Sequence, residues 1–470
     1  MRQINLPGAG IFDTANPDFV RFEPDPAGNK LLWVVASHVN VPAGKFAQSH
    51  VFAHVPGAKL FLNCADNAWY QNGLGGQIRG VRELVTAIGQ FSEGFETTHF
   101  VGHSMGAYLA LICAHEFDRG GHLVATSPEP VLCRRASRSR DNHVAPRFGW
   151  RDLIRRYRRQ PLRCAGVTVF GAHDPVDAGF LAQAAAHPGF YGTLASVPHH
   201  HGVTEYLTGR RRYLQLLTAP GEEIARLTDR GLATVPPGPE TAARFARFNR
   251  TYIRMREGSW DAAARLASAD TGWENAGWQA LSATIFRQRR DHPGAVAAGK
   301  RAFGLAPAQP IFAREYALAL IAAGRGRELR RLHQRLSKRK TRPPALVRIT
   351  TEIERSGLLE TRIAENRSTT PAKRPDWATG LAAFERARAA HQRARTHLGF
   401  ARAVASAFPC ARADPDLAHA MIDTLVAAGL RQTAVTLLEG AGFAGAPGLA
   451  QRVRLLLPNP VERHFDGNFY

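Results

Sequence analysis

The sequence predicts an α/β domain followed by an all-α region. In residues 1–232, short apolar and β-branched runs alternate with helical patterns, which favours a mostly parallel sheet with helices on both faces. A proline-rich stretch at 233–240 is typical of a linker, and beyond it Ala, Leu and Arg dominate helical patterns. At 470 residues the chain is also too long for one ordinary domain. We therefore expect a helical domain at 241–457 and a tail at 458–470.

The first half contains segments with the length and composition of strands. They are residues 19–22, 31–36, 58–64, 97–101, 122–126, 166–170 and 192–197. Helices are predicted between several of them and through the second half, among them 81–91, 107–115, 178–186, 206–217, 242–256, 260–268, 278–289 and 295–303.

Composition narrows the class of protein. The net charge of +22 comes mainly from arginine, which attracts nucleic acid, anionic lipid or anionic polysaccharide without choosing among them. The chain has no zinc-finger spacing and no aromatic RNA-binding signature, so we expect no specific nucleic-acid binding. The sequence has no apolar run long enough to predict a membrane span, and the N-terminus lacks a signal-peptide pattern. Five scattered cysteines without a C-x-x-C pair predict free thiols, a cytoplasmic location and no metal site.

The central motif is Gly102-His103-Ser104-Met105-Gly106, between an apolar strand and an apolar helix. G-x-S-x-G in this setting is typical of a nucleophile elbow, a turn so tight that the serine is strained and both flanking positions need glycine. The helix that follows directs its N-terminal N–H groups toward charge developing at the serine. We predict Ser104 as a nucleophile; the alternative is a small-residue turn in a Gly/Ala-rich chain.

Candidates for an acid and a base follow two later strands. Asp174 follows strand 166–170 and His201 follows strand 192–197, and parallel strands bring their carboxyl ends to one edge. Asp177 is the second choice as the acid, since Asp-Pro at 174–175 is also a strong Asx-turn former. Among three consecutive histidines we favour His201 over His200 and His199. Adjacent side chains on extended backbone point to opposite faces, which argues against one metal ion bound by all three.

The order Ser104, Asp174, His201 resembles that of the α/β-hydrolase superfamily, in its esterase- and lipase-like serine hydrolases. The resemblance implies an oxyanion hole formed by the N–H of Met105 and one from the 37–40 loop, where His38 is our candidate. It also implies a cap-like insert at about 129–163. Eleven arginines lie between Arg134 and Arg163, so the insert is either a solvated surface segment or a lid that recruits an anionic substrate.

The segment Asp66-Asn67-Ala68-Trp69-Tyr70 resembles a loop of a bacterial subset of α/β hydrolases linked to surface-polysaccharide handling and accessory secretion. Trp69 and Tyr70, with His103, are therefore candidate substrate contacts. The alternatives are a Trp/Tyr pair packing at the sheet edge and a packing or rim role for His103.

The second half carries a degenerate repeat. Prolines at 310, 343 and 415 each begin a predicted helix that ends at a glycine, and Gly294–Pro307 resembles the second helix of a tetratricopeptide repeat. Such stacked helix pairs usually bind a protein or peptide, so we expect a protein partner here; an irregular helical bundle is the alternative.

Together these patterns predict a serine hydrolase that cleaves an ester or related acyl bond through an acyl-serine intermediate, without a cofactor. The expected substrate is a small-molecule, lipid or carbohydrate ester. The alternative is a non-catalytic or weakly catalytic adaptor in a bacterial secretion or surface-polysaccharide assembly system.

Overall fold

The computed structural model describes residues 15–356, with 10 and 12, except 185, 210–211, 235–237 and 339–343. All the described residues belong to one compact unit. The predictions for the tail at 458–470, for Pro415 and for the later part of the 241–457 region lie outside the described residues, as does the centre of the predicted linker.

A seven-stranded sheet forms the centre of the first half. Its strands are β1 Val20–Glu23, β2 Leu31–Ala36, β3 Ala58–Leu62, β4 Thr97–His103, β5 His122–Thr126, β6 Ala165–Gly171 and β7 Thr193–Val197. Their spatial order is β1-β3-β2-β4-β5-β6-β7, with β1 antiparallel to β3 and every other pairing parallel. The prediction of a mostly parallel sheet is confirmed.

The strand order reverses between β2 and β4. From β2 the chain goes to β3 on one side, then crosses to β4 on the other and continues outward to β7. In open α/β sheets, ligands bind outside the carboxyl ends of the strands at such a switch point. Ala36 and Gly102 are paired at this place, so the ends of β2 and β4 lie side by side.

The helices of the first half follow the strands as connections or caps. They are α1 Ser49–Phe52, α2 Val81–Ser92, α3 Met105–Glu116, α4 Arg138–Asp141, α5 Leu153–Arg156, α6 Pro175–Ala184, α7 Pro188–Tyr191, α8 Val203–Gly209, α9 Tyr213–Thr218 and α10 Pro220–Asp229. The short α4 and α5 belong to the predicted insert between β5 and β6.

Helices cover both faces of the sheet. One face presents alternate strand residues such as Val101 to a buried cluster that includes side chains from α8, α9 and α10. The next residue, Gly102, points the opposite way, and a Cβ placed on it would lie 2.2 Å from the Gly106 carbonyl carbon of α3. Helix α3, which also contacts β2 and β5, therefore lies on the second face.

The region after the linker is helical, as predicted. Its described helices are α11 Pro239–Arg256, α12 Trp260–Ser268, α13 Ala276–Gln288, α14 His292–Leu305, α15 Pro310–Ala322, α16 Gly326–Ser337 and α17 Pro344–Arg355. The starts of α13, α15 and α17 are 34 residues apart, as are those of α14 and α16. Successive helices pack on one another and share a core of Ala, Leu and Ile side chains from α14 to α17.

Two helix boundaries differ from expectation. The predicted helix at 206–217 is two helices, α8 and α9, and the N–H of Arg212 bonds to the carbonyl of Leu207 at the junction. Gly209 at the end of α8 is a weak helix former, which favours a break there. The helix predicted from residue 178 begins earlier, at Pro175, since proline suits the first turn of a helix.

Two further predictions concern membrane and redox state. No helix of the described part of the chain is long and apolar enough to cross a membrane. Cys113, Cys133 and Cys164 are free thiols.

Candidate active site

Ser104 occupies the tight turn between β4 and α3. Its backbone has φ 54° and ψ −114°, a left-handed conformation that costs a non-glycine residue about 1–3 kcal/mol. A Cβ on Gly106 would lie 2.1 Å from the carbonyl oxygen of Ala36, so α3 can approach β2 only because this residue is glycine. The turn has the geometry that the G-x-S-x-G motif predicts.

The elbow adjoins the loop after β2. Met105 is the first residue of α3, whose opening N–H groups have no acceptor within the helix. His38 lies in the neighbouring loop, with its ring 5.8 Å from that of His103. Its Nδ1 lies 2.7 Å from the carbonyl oxygen of Val39. Met105 and His38 thus lie in the two segments, the start of α3 and the loop after β2, that adjoin the switch point.

The carboxylate bonded to His201 is that of Asp177. Its Oδ1 lies 3.0 Å from Nδ1 of His201, and both residues are almost fully buried. The other oxygen, Oδ2, accepts from the Ser127 hydroxyl at 2.6 Å and from the Gly171 N–H at 3.0 Å. Burial raises the pKa of Asp177, while these donors and Arg138 oppose that rise. The carboxylate is thus held rigidly with one oxygen directed at the imidazole.

Asp174, our first choice for the acid, has a different set of partners. Its Oδ1 accepts from the N–H groups of Val176 and Asp177, so it caps the first turn of α6 in the Asx manner noted as the alternative. Its Oδ2 accepts from Arg138 at 2.7 Å. The carboxylate that contacts Nδ1 of His201 is therefore not that of the predicted Asp174 but that of the second choice, Asp177. Asp177 lies three residues later, one helical turn into α6.

Arg138 is the residue that sequence reasoning missed. Its guanidinium forms ion pairs with Asp174 at 2.7 Å and with Asp177 at 3.4 Å. Nothing in the sequence separates it from the other ten arginines of its segment, because only the folded insert brings it to α6. Ser127, directly after β5, had a weaker signal: it is a polar residue at the carboxyl end of a strand.

The insert crosses the edge of the sheet. Its buried Glu129 accepts from the backbone N–H of Ser139 at 3.2 Å and from the Ser139 hydroxyl, which fixes α4 in place. At the far end of α4, Asn142 lies 3.3 Å from the Asn67 amide, which in turn bonds to Asn40 at 2.9 Å. The insert thus connects the acid side of the site with the 37–40 loop.

The histidines around Ser104 have lowered pKa values. Burial, with the nearby charge of Arg138, holds the pKa of His201 well below its usual range, and burial does the same for His103. Burial lowers the pKa of His200 to about 4 and that of His173 to about 3. These imidazoles are neutral near pH 7, the state in which a base can accept a proton.

The three predicted substrate contacts are buried. Trp69 and Tyr70 have no exposed surface, and the Tyr70 hydroxyl donates to the carbonyls of Ser37 and Leu62. His103 is 4 % exposed, bonds to Thr126 and lies 4.9 Å from the His201 ring. In this conformation Trp69 and Tyr70 pack against the strand ends, and both have left-handed backbones, with φ of 50° and 59°.

One group of side chains in the described residues has the spacing of a metal site. Ligand atoms of Asp174, Asp177 and His201 lie within 4.8 Å of one another. Arg138 already pairs with both carboxylates, so a metal cation there would be repelled by a guanidinium in contact with its ligands. The two carboxylates and the imidazole therefore fit a chain of hydrogen bonds and ion pairs better than a metal centre.

The site is closed in this conformation. Ser104 is 2 % exposed and His201 4 %. Two surface clefts, of about 300 and 340 Å³, lie instead on the outer side of the insert, around Ile154, Arg158 and His187. Ser104 and His201 are therefore almost inaccessible to solvent in this conformation.

Comparison with known proteins identifies no relative: no protein-family model matches the chain, and no curated protein is significantly similar to it.

Proposed function

We propose that the protein is a serine hydrolase of α/β-hydrolase type that cleaves an ester or related acyl bond. The observation that carries the proposal is the buried His201–Asp177 pair, 3.0 Å between Nδ1 and Oδ1, in loops that end at the same sheet edge as the strained Ser104. A base oriented by a carboxylate, beside a serine at a helix N-terminus, is the arrangement that activates a hydroxyl.

In the proposed reaction, Oγ of Ser104 attacks the carbonyl carbon and Nε2 of His201 takes the hydroxyl proton. Asp177 accepts from Nδ1–H, which leaves Nε2 as the basic atom and stabilises the imidazolium that forms. The N–H groups of Met105 and His38 bind the developing oxyanion. His201 then returns the proton to the leaving alcohol, and water releases the acyl group from Ser104 by the same steps.

The contacts of the insert support the proposal that it acts as a lid. Arg138 links it to the acid side, Asn142 links it to Asn67, and Ser104 is buried. Opening would break the ion pairs of Arg138 with Asp174 and Asp177, whose side chains are mostly buried, so a substrate or partner would have to replace these contacts. The outward arginines of the lid favour an ester carried on an anionic molecule.

A fluorophosphonate probe tests the mechanism. Because it reacts only with an activated serine, the wild-type protein should be labelled and the Ser104→Ala variant should not, as read by intact-protein mass spectrometry. Ser92→Ala is the control for labelling of another buried serine, because Ser92 lies in α2 and bonds to the carbonyl of Gly89: the adduct should still form on Ser104. Absence of an adduct on folded wild-type protein, across pH 6 to 9 and with short- and long-chain probes, would overturn the proposal.

The second candidate function is an adaptor, favoured by the 34-residue spacing of the helix starts and by the closed serine. The spacing equals the tetratricopeptide period, and stacks of such repeats bind peptides or proteins. An adaptor predicts stable capture of a partner by full-length wild-type and Ser104→Ala protein alike, together with no probe labelling.

A further inference from the structure

The helical region contacts the two loops that hold the His201–Asp177 pair. We name them the acid loop, residues 171–175 from the last residue of β6 to the first residue of α6, and the base loop, residues 198–202 before α8; Asp177 follows the acid loop in the first turn of α6. Three amide side chains from the helical region bond to the backbone of these loops: Asn249, Asn275 and Gln309.

Gln309 holds the base loop at two points. Its Nε2 donates to the carbonyl of Pro198 at 3.0 Å, and its Oε1 accepts from the N–H of His200 at 3.1 Å. The residue precedes α15 and is 5 % exposed, so the amide is a buried polar group whose two ends both have partners. Losing either bond would leave a buried backbone group unsatisfied next to His201.

Asn275 holds the acid loop in a similar way. Its Nδ2 donates to the carbonyl of Ala172 at 2.8 Å, while its Oδ1 caps α13 by accepting from the N–H of Trp278. A Cβ on Gly277, in the first turn of α13, would lie 1.9 Å from the carbonyl oxygen of His173. The helix can approach the acid loop this closely because Gly277 has no side chain.

The end of the acid loop is held by α11. Asn249 donates to the carbonyl of Pro175 at 2.8 Å, and a Cβ on Gly179 would lie 2.6 Å from the Asn249 side chain. Helix α6, which carries Asp177, is therefore packed directly on α11.

The two loops also meet each other. The N–H of His173 donates to the carbonyl of His199 at 2.9 Å, and Nε2 of Gln309 lies 3.4 Å from Nδ1 of His173. Gln309 thus contacts both loops at the place where they touch.

We propose that Gln309 is a positioning residue that fixes His201 relative to Asp177, so that residues 241–356 form part of the active site's construction. The proposal rests on the proposed function. It implies that removal of the helical region changes the reactivity of Ser104. Binding of a partner that shifts α15 would change that reactivity as well.

The experiment uses full-length Gln309→Met, which keeps the size but loses both bonds, and Gln309→Glu, which keeps the acceptor for His200. Gln334→Met, at an exposed position of α16, is the matched control. The readouts are the fluorophosphonate labelling rate from pH 5 to 9, hydrogen exchange of the His173 and His200 amides, and the thermal unfolding midpoint.

We expect Gln309→Met to slow labelling about 10- to 100-fold, the size of effect that misplacing a catalytic group produces. Exchange at His200 should accelerate, while amides of β4 and β5 stay protected. Gln309→Glu should lie between Gln309→Met and wild type, and Gln334→Met should match wild type in every readout.

Two results would overturn the proposal. One is labelling of Gln309→Met at the wild-type rate while the exchange at His200 has risen. The other is equal loss of protection in every strand for both Gln309 variants, which would make the amide a contributor to stability only. If wild type itself is not labelled, the proposed hydrolase function fails, but local exchange at His173 and His200 still reports whether Gln309 holds the loops together.

Discussion

Ser104 and His201 are held in place by different means. The serine is fixed by backbone alone: a β4–α3 turn with φ 54°, and glycines at 102 and 106 whose missing side chains let α3 approach the sheet. The histidine is fixed by side chains from distant parts of the chain. Asp177 bonds to its ring, Ser127 and Arg138 hold Asp177, and Gln309 holds its loop.

The difference teaches which half of the site depends on the rest of the molecule. A five-residue motif determines the elbow, since the contacts that shape it are backbone contacts of the turn with the ends of β2 and β5. The acid–base pair depends on the insert and on the helical region as well. Changes far from Ser104 should therefore alter the relay first and leave the elbow intact.

The largest expected effect separates the two aspartates. Asp177→Asn should slow fluorophosphonate labelling about 10³- to 10⁴-fold, because the amide cannot stabilise the imidazolium and favours the wrong tautomer of His201. Asp174→Asn should cost less than about tenfold, since asparagine also caps a helix. Labelling rates at pH 8, measured on folded protein, check both.

Both variants remove one negative charge, and the two positions lie one helical turn apart at the start of α6. A greater loss in Asp174→Asn than in Asp177→Asn would return the role of the acid to Asp174 and would mean that the loops rearrange when the site opens.

The same difference explains what the sequence could predict. The strands, the elbow and the choice of His201 for the base loop follow from local patterns, and the structure has a strand, a turn or a loop at each place. The acid was assigned by its distance from β6, whereas Asp177 reaches His201 because Pro175 begins α6 and directs the next turn inward. The distance of a residue from the end of a strand therefore predicts the acid only to within one helical turn.

Arg138 and Gln309 could not be predicted at all. Arg138 is one arginine among eleven, and its pairing with Asp174 and Asp177 depends on how the insert folds. Gln309 was part of a helical repeat with no chemical motif, and its contacts cross more than a hundred residues of sequence. Long-range contacts of this kind have no local signal.

The second prediction tests the backbone side of the comparison. Gly106→Ala places a Cβ 2.1 Å from the carbonyl oxygen of Ala36, so β2 or α3 has to shift. The expected loss in the free energy of unfolding is about 1–3 kcal/mol, as in other overpacked sites, with labelling of Ser104 slowed about 10²-fold. Urea unfolding and probe labelling of the same sample check it.

Gly304→Ala is the control, because a Cβ on Gly304, within α14, meets nothing within 4 Å. Because Gly304 is the penultimate residue of α14, alanine there should stabilise the protein by less than the about 0.5–1 kcal/mol of a helix interior. Equal stability of the two variants would show that the approach of α3 to β2 is looser than the backbone geometry requires.

The smallest expected effect is a change in pH dependence through Arg138. Burial and, after it, the positive guanidinium of Arg138 lower the pKa of His201, and labelling requires this imidazole to be neutral, so Arg138 extends reactivity toward lower pH. In Arg138→Met the pKa of His201 rises, and the acid limb of the labelling rate should move to higher pH. Arg140→Met removes the same charge from an exposed position of the same helix and should leave the limb in place.

A limb that moves equally in both variants would assign the effect to the general charge of the insert. A limb that moves to lower pH in Arg138→Met would contradict the direction of the electrostatic coupling.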